Sequence, residues 1–182
     1  MFEEAIKVGK LLASAKLIDG ASGNMSFKIG DTIYITRTGA NLDELKNEHF
    51  VKLKPGEFTR EASVDQLIHV KIYEKTDYSA VLHCHGIFNV VIGGRMSRIE
   101  PVDLEGKLYF GEIRVLEGQF GSPELAEQIS DEVKERGVAV VRNHGMYAAG
   151  KNLRDAYNKA SYLEHSCEII YRSRLLDFLH EP

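Results

Sequence analysis

Residues 138–142 form a nearly continuous apolar run, which restricts the chain to folds that can bury a segment on both sides. A strand with one face in water alternates apolar and polar side chains, whereas an unbroken apolar strand is typically covered on both faces. Ser122, Pro123 and Glu124 predict the start of a helix before this run, and Gly137 predicts its end at residue 136. Apolar residues at helical spacing predict a second helix over residues 153–171. The run therefore predicts a buried central strand in a layered α/β fold.

The other segments predict further helices and strands in a mixed order. Apolar residues three or four apart predict a helix over residues 2–18, and Ser63 is placed to cap another helix over residues 64–75. Gly30 and Asp31 separate two strand-like segments and predict a β-hairpin. The predicted strands cover residues 25–29, 32–36, 50–53, 79–85 and 112–116, with short helical stretches at 41–47 and after Gly86. We expect one α/β domain over residues 1–182.

The composition excludes several classes of protein. The chain has 23 Lys and Arg against 27 Asp and Glu, and this net charge of −4 disfavours a nucleic-acid binder. A chain of this length buries roughly 70% of its unfolded surface, so its core does not require a disulfide framework. The first residues lack the features of a signal peptide, and no apolar stretch approaches the ~20 residues of a membrane-spanning helix. We expect a cytoplasmic protein that binds neither nucleic acid nor membrane.

Three of the seven histidines directly follow predicted apolar strands. His83 and His85 are two residues apart, so both imidazoles project to the same side of their strand. His144 follows the apolar run at 138–142 and precedes Gly145. Imidazoles from neighbouring strands suit a borderline divalent ion such as zinc. A single histidine at a strand end is more often structural, but the grouping of three favours a metal site.

Asp65 is the acidic candidate, because its predicted helix leads directly into the strand that carries the paired histidines. The alternative is an N-terminal charge that only the helix dipole favours. His69 lies one turn later and is expected to be a packed or surface histidine. We expect Cys84 to point into the core, away from the histidines, and Cys167 to lie on the apolar stripe of the last helix. Neither cysteine is expected to bind metal.

Small polar residues flank the predicted hairpin and open the following helix. They are Gly23, Asn24, Thr38, Gly39 and Ser63. Backbone N–H groups and hydroxyls clustered in this way bind phosphate oxygens. Each residue alone is equally typical of ordinary turns. Arg37 adds a cation that either contacts an anion or faces solvent.

Taken in order, these motifs resemble the class II aldolase/adducin family over almost the whole chain. The motifs are Gly23-Asn24-Met25-Ser26, Ile35-Thr36-Arg37-Thr38-Gly39, Ala80-Val81-Leu82-His83-Cys84-His85 and Asn143-His144-Gly145. The resemblance implies a single α/β domain with a central, mainly antiparallel sheet flanked by helices. It also implies a homo-oligomer, usually a C4 tetramer with active sites at the subunit interfaces, that acts on a phosphorylated sugar.

The resemblance further implies roles for individual residues. His83, His85 and His144 would bind one zinc or other divalent transition-metal ion per subunit. Asp65 would complete the resting coordination and then act as the catalytic base. The phosphate would bind at Gly23, Asn24, Thr38, Gly39 and Ser63. The implied reaction is cleavage of a small ketose 1-phosphate, of the L-fuculose-1-phosphate type, to dihydroxyacetone phosphate and an aldehyde.

The sequence departs from the family pattern near the acid and the proton donor. Family aldolases usually carry a second serine and a glutamate where this chain has Val64 and Asp65, so the acid is one methylene shorter. The aspartate at position 65 resembles the residue found there in the L-ribulose-5-phosphate 4-epimerase branch of the family. That branch also has a longer C-terminus and a further catalytic aspartate, and this sequence matches neither feature. The aldolases use a tyrosine of a neighbouring subunit as proton donor. In this sequence the nearest candidate, Tyr109, lies a few residues after the position that corresponds to that tyrosine.

Other functions remain alternatives on the same scaffold. One is epimerisation of a sugar phosphate, and another is dehydration, as in methylthioribulose-1-phosphate dehydratase. A non-catalytic assembly module like that of adducin has lost the metal histidines, whereas all three are present here. The remaining alternative is a structural zinc site with all coordination positions filled by the protein.

Overall fold

A computed structural model shows one eight-stranded sheet between two layers of helices. The structure describes residues 1–54 and 56–180, so Pro55 and the last two positions of the predicted 1–182 domain lie outside the described residues. The strand order is β3-β2-β1-β4-β8-β7-β6-β5, and every neighbouring pair is antiparallel except β6 and β7. The expected α/β fold with a mainly antiparallel sheet is confirmed.

The strands and helices have the following bounds. The strands are β1 Asn24–Ile29, β2 Thr32–Thr36, β3 Phe50–Leu53, β4 Ala80–Cys84, β5 Arg98–Ile99, β6 Ile113–Leu116, β7 Val138–Val141 and β8 Gly145–Gly150. The α-helices are α1 Phe2–Ser14, α2 Gln66–Lys75, α3 Ile87–Arg95, α4 Leu104–Tyr109, α5 Pro123–Arg136 and α6 Leu153–His180. Two short 3₁₀ helices, Leu42–Glu44 and Asn47–His49, connect β2 to β3.

Strand β7 is buried on both faces, as the apolar run predicts. Val138 and Val140 pack into the core that includes α1, α3 and α6, while Ala139 and Val141 pack into the core that includes α2 and α5. Alternate residues point to opposite faces, so both layers of helices contact this one strand. The described part of the chain contains no helix with both the length and the apolarity needed to cross a bilayer.

Helix α2 begins two residues later than predicted, at Gln66 instead of residue 64. The Ser63 hydroxyl accepts from the Asp65 N–H at 3.3 Å, as the predicted capping role requires, while its own N–H donates to the Thr36 carbonyl and its carbonyl accepts from Gln66. The neighbouring Arg37 and Ala62 form an antiparallel bridge. The segment before α2 is therefore held against the end of β2, and the helix starts only after Asp65.

Other elements differ from the prediction in length or were not predicted. Helix α1 ends at Ser14 instead of residue 18, and Lys16 takes a left-handed φ of 57°. The 41–47 stretch contains a 3₁₀ helix and no full α-helical turn, and α6 continues to His180 instead of ending near residue 171. Strands β5 and β8 and helix α4 were not predicted from the sequence. Strand β8 has the sequence GMYAAG, which is poor in the β-branched residues that mark strands.

Candidate active site

The end of β4 and the start of β8 bring the three histidines together. The two strands are neighbours, with His83 opposite Tyr147 and Cys84 opposite Met146. Gly145 begins β8 at a close approach to β4, since a Cβ added there would lie 2.4 Å from the Cys84 carbonyl oxygen. Real Cβ atoms do not approach a carbonyl oxygen that closely, so a glycine at this position lets His144 approach the paired histidines.

The imidazole nitrogens converge on one point. The Nε2 atoms of His83 and His85 are 2.8 Å apart, and one ring nitrogen from each of His83, His85 and His144 lies within 4.8 Å of the others. Nδ1 of His83 lies 3.0 Å from the Met146 carbonyl oxygen. Donation of the Nδ1 proton to that carbonyl leaves the Nε2 lone pair directed at the other imidazoles, an arrangement usual for a metal ligand.

Burial keeps these histidines neutral. It is the largest cause that lowers the pKa of His83 well below its ordinary value, and the adjacent His85 and His144 lower it further. Burial also lowers the pKa values of His85 and His144. Nε2 of His144 is buried without a hydrogen-bond partner among the described residues. Neutral imidazoles with a converging, unpartnered nitrogen fit a divalent transition-metal ion.

Asp65 lies beside this cluster and is only 3% exposed. It occupies the N-cap position of α2, but its side chain accepts no hydrogen bond from the helix backbone. Its Oδ2 instead accepts a hydrogen bond of 2.7 Å from Nδ2 of Asn24 and lies 3.7 Å from Nε2 of His83. The carboxylate is therefore directed towards the histidines, which argues against a purely helix-capping charge.

A cleft of about 200 Å³ joins the histidines and Asp65 to the small polar residues of the sequence prediction. The predicted residues that line it are Gly23, Asn24, Thr38, Gly39, Ser63, Asp65, His83, His85 and His144. Ala21, Arg37, Val64 and Phe120 also line it. Ser22, the residue before Gly23, does not line the cleft, and its hydroxyl donates to Oδ1 of Asp19 at 2.6 Å.

The polar residues around the cleft differ in the donors they can offer an anion. The N–H of Thr38 donates to the Glu61 carbonyl, and its hydroxyl donates to the Ala62 carbonyl at 2.7 Å. Within the described ranges, no backbone carbonyl accepts from the N–H of Gly39 or Val64. The N–H of Gly23 likewise has no backbone acceptor in the described part of the chain, so the donors available to an anion are the Gly23, Gly39 and Val64 amides, with the Ser63 hydroxyl and the Arg37 guanidinium close by.

A second, more apolar cleft adjoins the first and shares His85 and His144 with it. Its volume is about 570 Å³. Its other lining residues are Lys16, Ile18, Asp19, Ile87, Val90 and Val91. A molecule that occupies both clefts must pass the histidine cluster.

Sequence reasoning missed two aromatic residues of the site. Phe120 is 52% exposed and its ring centroid lies 5.2 Å from that of His144. Tyr147 is buried, with its ring stacked on His83 at 4.2 Å between centroids. The pairing of β4 with β8 places Tyr147 opposite His83, and that register cannot be deduced without predicting β8. We find no local sequence signal for Phe120.

Other candidates lie away from the cleft. Tyr109 is 54% exposed on α4 and stacks on Tyr162 at 4.9 Å between centroids. His69 is buried and hydrogen-bonded to Ser26, as expected for a packed histidine. Both cysteines are buried, and burial raises their pKa values, which argues against a thiolate role.

Comparisons with known proteins agree with this geometry. The family model described as "Class II Aldolase and Adducin N-terminal domain" matches residues 3–171. An L-fuculose phosphate aldolase of Methanocaldococcus jannaschii is 30% identical over 171 residues, which cover 92% of this chain and 93% of that protein. A methylthioribulose-1-phosphate dehydratase of Geobacillus thermodenitrificans is 27% identical over 183 residues, with 90% and 85% covered.

A solved structure with a closely similar fold is the L-fuculose-1-phosphate aldolase of Thermus thermophilus. It superposes with a TM-score of 0.94 at 28% sequence identity, covering 100% of this chain and 97% of that chain. The similarity therefore extends over the whole fold, including the sheet and both helical layers.

Proposed function

This chain belongs to the class II aldolase and adducin family, and we propose that it is a metal-dependent aldolase. Its substrate in this proposal is a small ketose 1-phosphate of the L-fuculose-1-phosphate type, and its products are dihydroxyacetone phosphate and an aldehyde. The observation that carries the proposal is the single cleft lined by three imidazoles, a buried carboxylate and several anion donors. A non-catalytic assembly role is disfavoured because the three histidines are present and converge.

We assign the substrate phosphate to the donor-rich end of the cleft. The residues around it are Gly23, Asn24, Thr38, Gly39 and Ser63, with Arg37 beside them. The donors of Thr38 are engaged by the Glu61 and Ala62 carbonyls, so Thr38 shapes the loop, and the Val64 amide is a further donor. Backbone amides and hydroxyls bind phosphate oxygens, and the guanidinium supplies positive charge. A phosphate fixed there places the adjacent carbons of the substrate at the histidines, which lowers the entropic cost of reaching the reactive arrangement.

We assign a zinc or other divalent transition-metal ion to His83, His85 and His144. When bound there, such an ion supplies Lewis-acid polarisation of the substrate carbonyl. In cleavage, the bond between carbons 3 and 4 breaks, the carbon-4 hydroxyl loses its proton and carbon 3 gains one. Asp65 is the group we assign to the proton at carbon 3, because its carboxylate is the acidic group directed at the cluster.

The aldehyde half of the substrate then lies in the second cleft. Both clefts are bordered by His85 and His144. A substrate whose phosphate is held at the donor-rich end of the first cleft therefore reaches the second cleft after passing the histidines. Ile87 and Val91 are 59% and 41% exposed there and offer apolar contact. This placement favours an aldehyde with an apolar substituent.

The test is the product formed by metal-loaded protein from L-fuculose 1-phosphate and related ketose 1-phosphates. Dihydroxyacetone phosphate is detected by its coupled, NADH-dependent reduction. Release of dihydroxyacetone phosphate with an equal amount of aldehyde is the expected result. Conversion without cleavage would assign the cleft to an isomer-forming or dehydrating reaction instead.

Dehydration of methylthioribulose 1-phosphate is the second candidate. The similarity to a dehydratase of that name favours it, as does the apolar second cleft beside His85 and His144. A thioether is apolar, so this cleft suits a methylthio group as well as a short alkyl group. Loss of water from methylthioribulose 1-phosphate, without dihydroxyacetone phosphate, would select this activity.

We also propose that the protein is a C4 homotetramer whose clefts are completed at the subunit interfaces. Besides Asp65, no acidic or tyrosine side chain lines the first cleft among the described residues, so the group that takes the proton from the carbon-4 hydroxyl in cleavage, and returns it in the reverse reaction, is assigned to a second copy. Exposed apolar side chains support association. They include Leu104 and Leu108 on α4 and Leu176, Phe178 and Leu179 on α6.

A further inference from the structure

The helix that follows the paired histidines has no cap of its own. Helix α3 begins at Ile87, and its N-cap residue is Gly86, which has no side chain to accept from the first N–H groups. The first N–H groups of a helix lack intrahelical acceptors and need partners from elsewhere. His85, a proposed metal ligand, immediately precedes this N-cap. Whatever accepts from the first turn of α3 is therefore close along the chain to the histidine cluster.

A carboxylate from another helix takes the place of the missing cap. Oε1 of Glu164, on α6, accepts from the Phe88 N–H at 2.7 Å, and Oε2 accepts from the Asn89 N–H at 2.9 Å. Oε2 also accepts from Nδ2 of Asn89 at 2.7 Å. Negative charge is stabilised at the N-terminus of a helix. Glu164 forms no ion pair with a basic side chain in the described part of the chain, so the first turn of α3 is the partner of its charge.

Asn89 and Gly86 connect this carboxylate to the backbone of the histidine. Nδ2 of Asn89, which is fully buried, also donates to the Gly86 carbonyl at 2.8 Å. Gly86 packs directly against the carboxylate, since a Cβ added there would overlap Oε2 of Glu164. On the other side, the His85 N–H donates to the Leu17 carbonyl at 2.8 Å. The backbone of His85 is thus fixed at both ends, by Leu17 and by the turn that Glu164 caps.

The imidazole of His85 depends on this backbone for its orientation. Its Nε2 lies 2.8 Å from Nε2 of His83, and this is the one hydrogen bond of its ring among the described residues. His83, in contrast, is also held by the Met146 carbonyl through Nδ1. Because no second group orients the His85 ring, a shift of the turn after it would move the imidazole relative to the rest of the cluster.

We propose that Glu164 is a positioning residue, whose carboxylate caps α3 from α6 and thereby holds His85 where its imidazole can bind metal together with His83. The inference rests on the proposed function of the cleft, because it treats His85 as a metal ligand. Glu164 lines neither of the two clefts, so it acts on a bound ion only through the turn of residues 86–89.

Glu164→Gln is the substitution that isolates the carboxylate. Glutamine keeps the size of the side chain but has one acceptor oxygen, and its amide nitrogen would face an N–H group of Phe88 or Asn89. Glu132→Gln is the matched control. The two oxygens of Glu132, on α5, also accept from a backbone N–H and a side chain, those of Arg114, at 3.1 and 2.9 Å. Glu132 lines neither cleft, so its substitution measures the general cost of losing such a carboxylate.

The first test observes His85 directly and needs no activity. In metal-free protein labelled with ¹⁵N in the histidine rings, the His85 signals are identified by their absence from His85→Gln. We expect these signals to move in Glu164→Gln and to keep their positions in Glu132→Gln. Unchanged His85 signals in Glu164→Gln would overturn the inference.

The second test measures metal binding without substrate. Zn²⁺ is titrated in competition with a chromogenic chelator. We expect its Kd to rise by about 10-fold in Glu164→Gln and by less than about two-fold in Glu132→Gln. A Kd in Glu164→Gln equal to that of the wild type, or equal rises in the two variants, would contradict positioning.

A further variant tests the connection from the side of α3. Asn89→Ser keeps the carboxylate and both of its backbone donors but removes the side-chain link to the Gly86 carbonyl. We expect its Zn²⁺ Kd to rise less than that of Glu164→Gln, and the wild-type Kd in Asn89→Ser would refute the link through Gly86. If wild-type protein binds no Zn²⁺, the metal assignment of the proposed function fails, whereas the His85 signals still decide whether Glu164 sets the position of that side chain.

Discussion

His83 combines the contacts expected of a metal-binding imidazole. Its Nδ1 is paired with the Met146 carbonyl, its ring is stacked on Tyr147, and its Nε2 is directed at His85. Because the ring is 2% exposed, it cannot turn to water without leaving these partners. The imidazole is thus held in one orientation by the fold itself, before any ion binds.

We predict that His83→Ala loses both bound metal and catalytic activity. The substitution removes the best-oriented of three ligands, and the remaining two leave the ion with weaker binding. Metal content of the purified protein and the rate of dihydroxyacetone phosphate release check the prediction. His165→Ala, at an exposed histidine of α6, should keep both. Full turnover by metal-free His83→Ala would contradict the proposed mechanism.

Acid sensitivity is predicted at His69, which does not line the cleft but lies near enough for His83 to add to the lowering of its pKa by burial. Burial lowers the pKa of His69 from 6.5 to about 3, partly opposed by the negative charge of Asp65. Since the folded pKa is the lower one, the unfolded chain binds more protons between these values. The stability is complete above pH 6.5 and falls as the pH drops towards 3, by on the order of 5 kcal/mol in total.

His69→Gln should flatten this acid dependence in metal-free protein. Glutamine does not titrate and can still hydrogen-bond to Ser26, the partner of His69 Nδ1 at 2.7 Å. Urea unfolding at pH 7 and pH 4 gives the loss of unfolding free energy for each protein. The wild type and His165→Gln should lose more on acidification than His69→Gln. Equal losses in all three proteins would show that His69 contributes no pH dependence.

At the scale of elements, the approach of β8 to β4 depends on Gly145. A Cβ there would lie 2.4 Å from the Cys84 carbonyl oxygen and 2.7 Å from Cδ2 of His85. We predict that Gly145→Ala lowers the unfolding free energy by about 1–3 kcal/mol and weakens metal binding, because the strands must separate. Urea unfolding and metal titration measure the two effects.

Gly30 supplies the control for that substitution. It lies in the turn of the β1–β2 hairpin with a φ of 58°, and an added Cβ meets nothing within 4 Å. Gly30→Ala therefore costs roughly 1–2 kcal/mol of backbone strain without moving the histidines. Metal affinity should stay at the wild-type value in Gly30→Ala. A similar loss of affinity in both variants would mean that Gly145 has no special role at the site.

Local signals explain which elements could be predicted from the sequence. Helix α5 has a capping serine, an N-terminal proline and a terminal Gly137 in the left-handed conformation, and its bounds match the prediction. Ser122 accepts from the Leu125 N–H, as a capping residue should. Strand β8 has no such signal, because alanine and glycine are poor strand formers. Its pairing with β4 and β7 stabilises it instead, which is a long-range effect.

The candidate site follows the same division. The grouping of His83, His85 and His144 was predictable because each follows a recognisable strand, and their convergence is seen in the structure. The distance of Asp65 from His83 was not predictable, since it depends on how the segment before α2 is held against the end of β2. Tyr147 and Phe120 reach the site through strand register and loop position, neither of which a local pattern encodes.

At the scale of the whole molecule, α4 presents an apolar surface that one chain leaves open. Leu104 and Leu108 are 66% and 75% exposed. We predict a particle of four times the chain mass of 20.4 kDa for the wild type, and a smaller one for the Leu104→Glu, Leu108→Glu double variant. Light scattering during size-exclusion chromatography measures both. Lys107→Glu on the same helix makes the same change in net charge and serves as the control, and we expect it to keep the particle mass of the wild type. A wild-type protein that is monomeric in solution would refute the proposed tetramer.

The separation of β4 and β8 along the chain also sets an order of events during synthesis. His83 and His85 leave the ribosome about 60 residues before His144, whose strand then inserts between β4 and β7. A nascent chain that ends before His144 carries two of the three proposed ligands and an incomplete sheet. If the three histidines bind the proposed ion, we expect metal loading to require the finished sheet, so that a truncated product retains less metal than the complete protein.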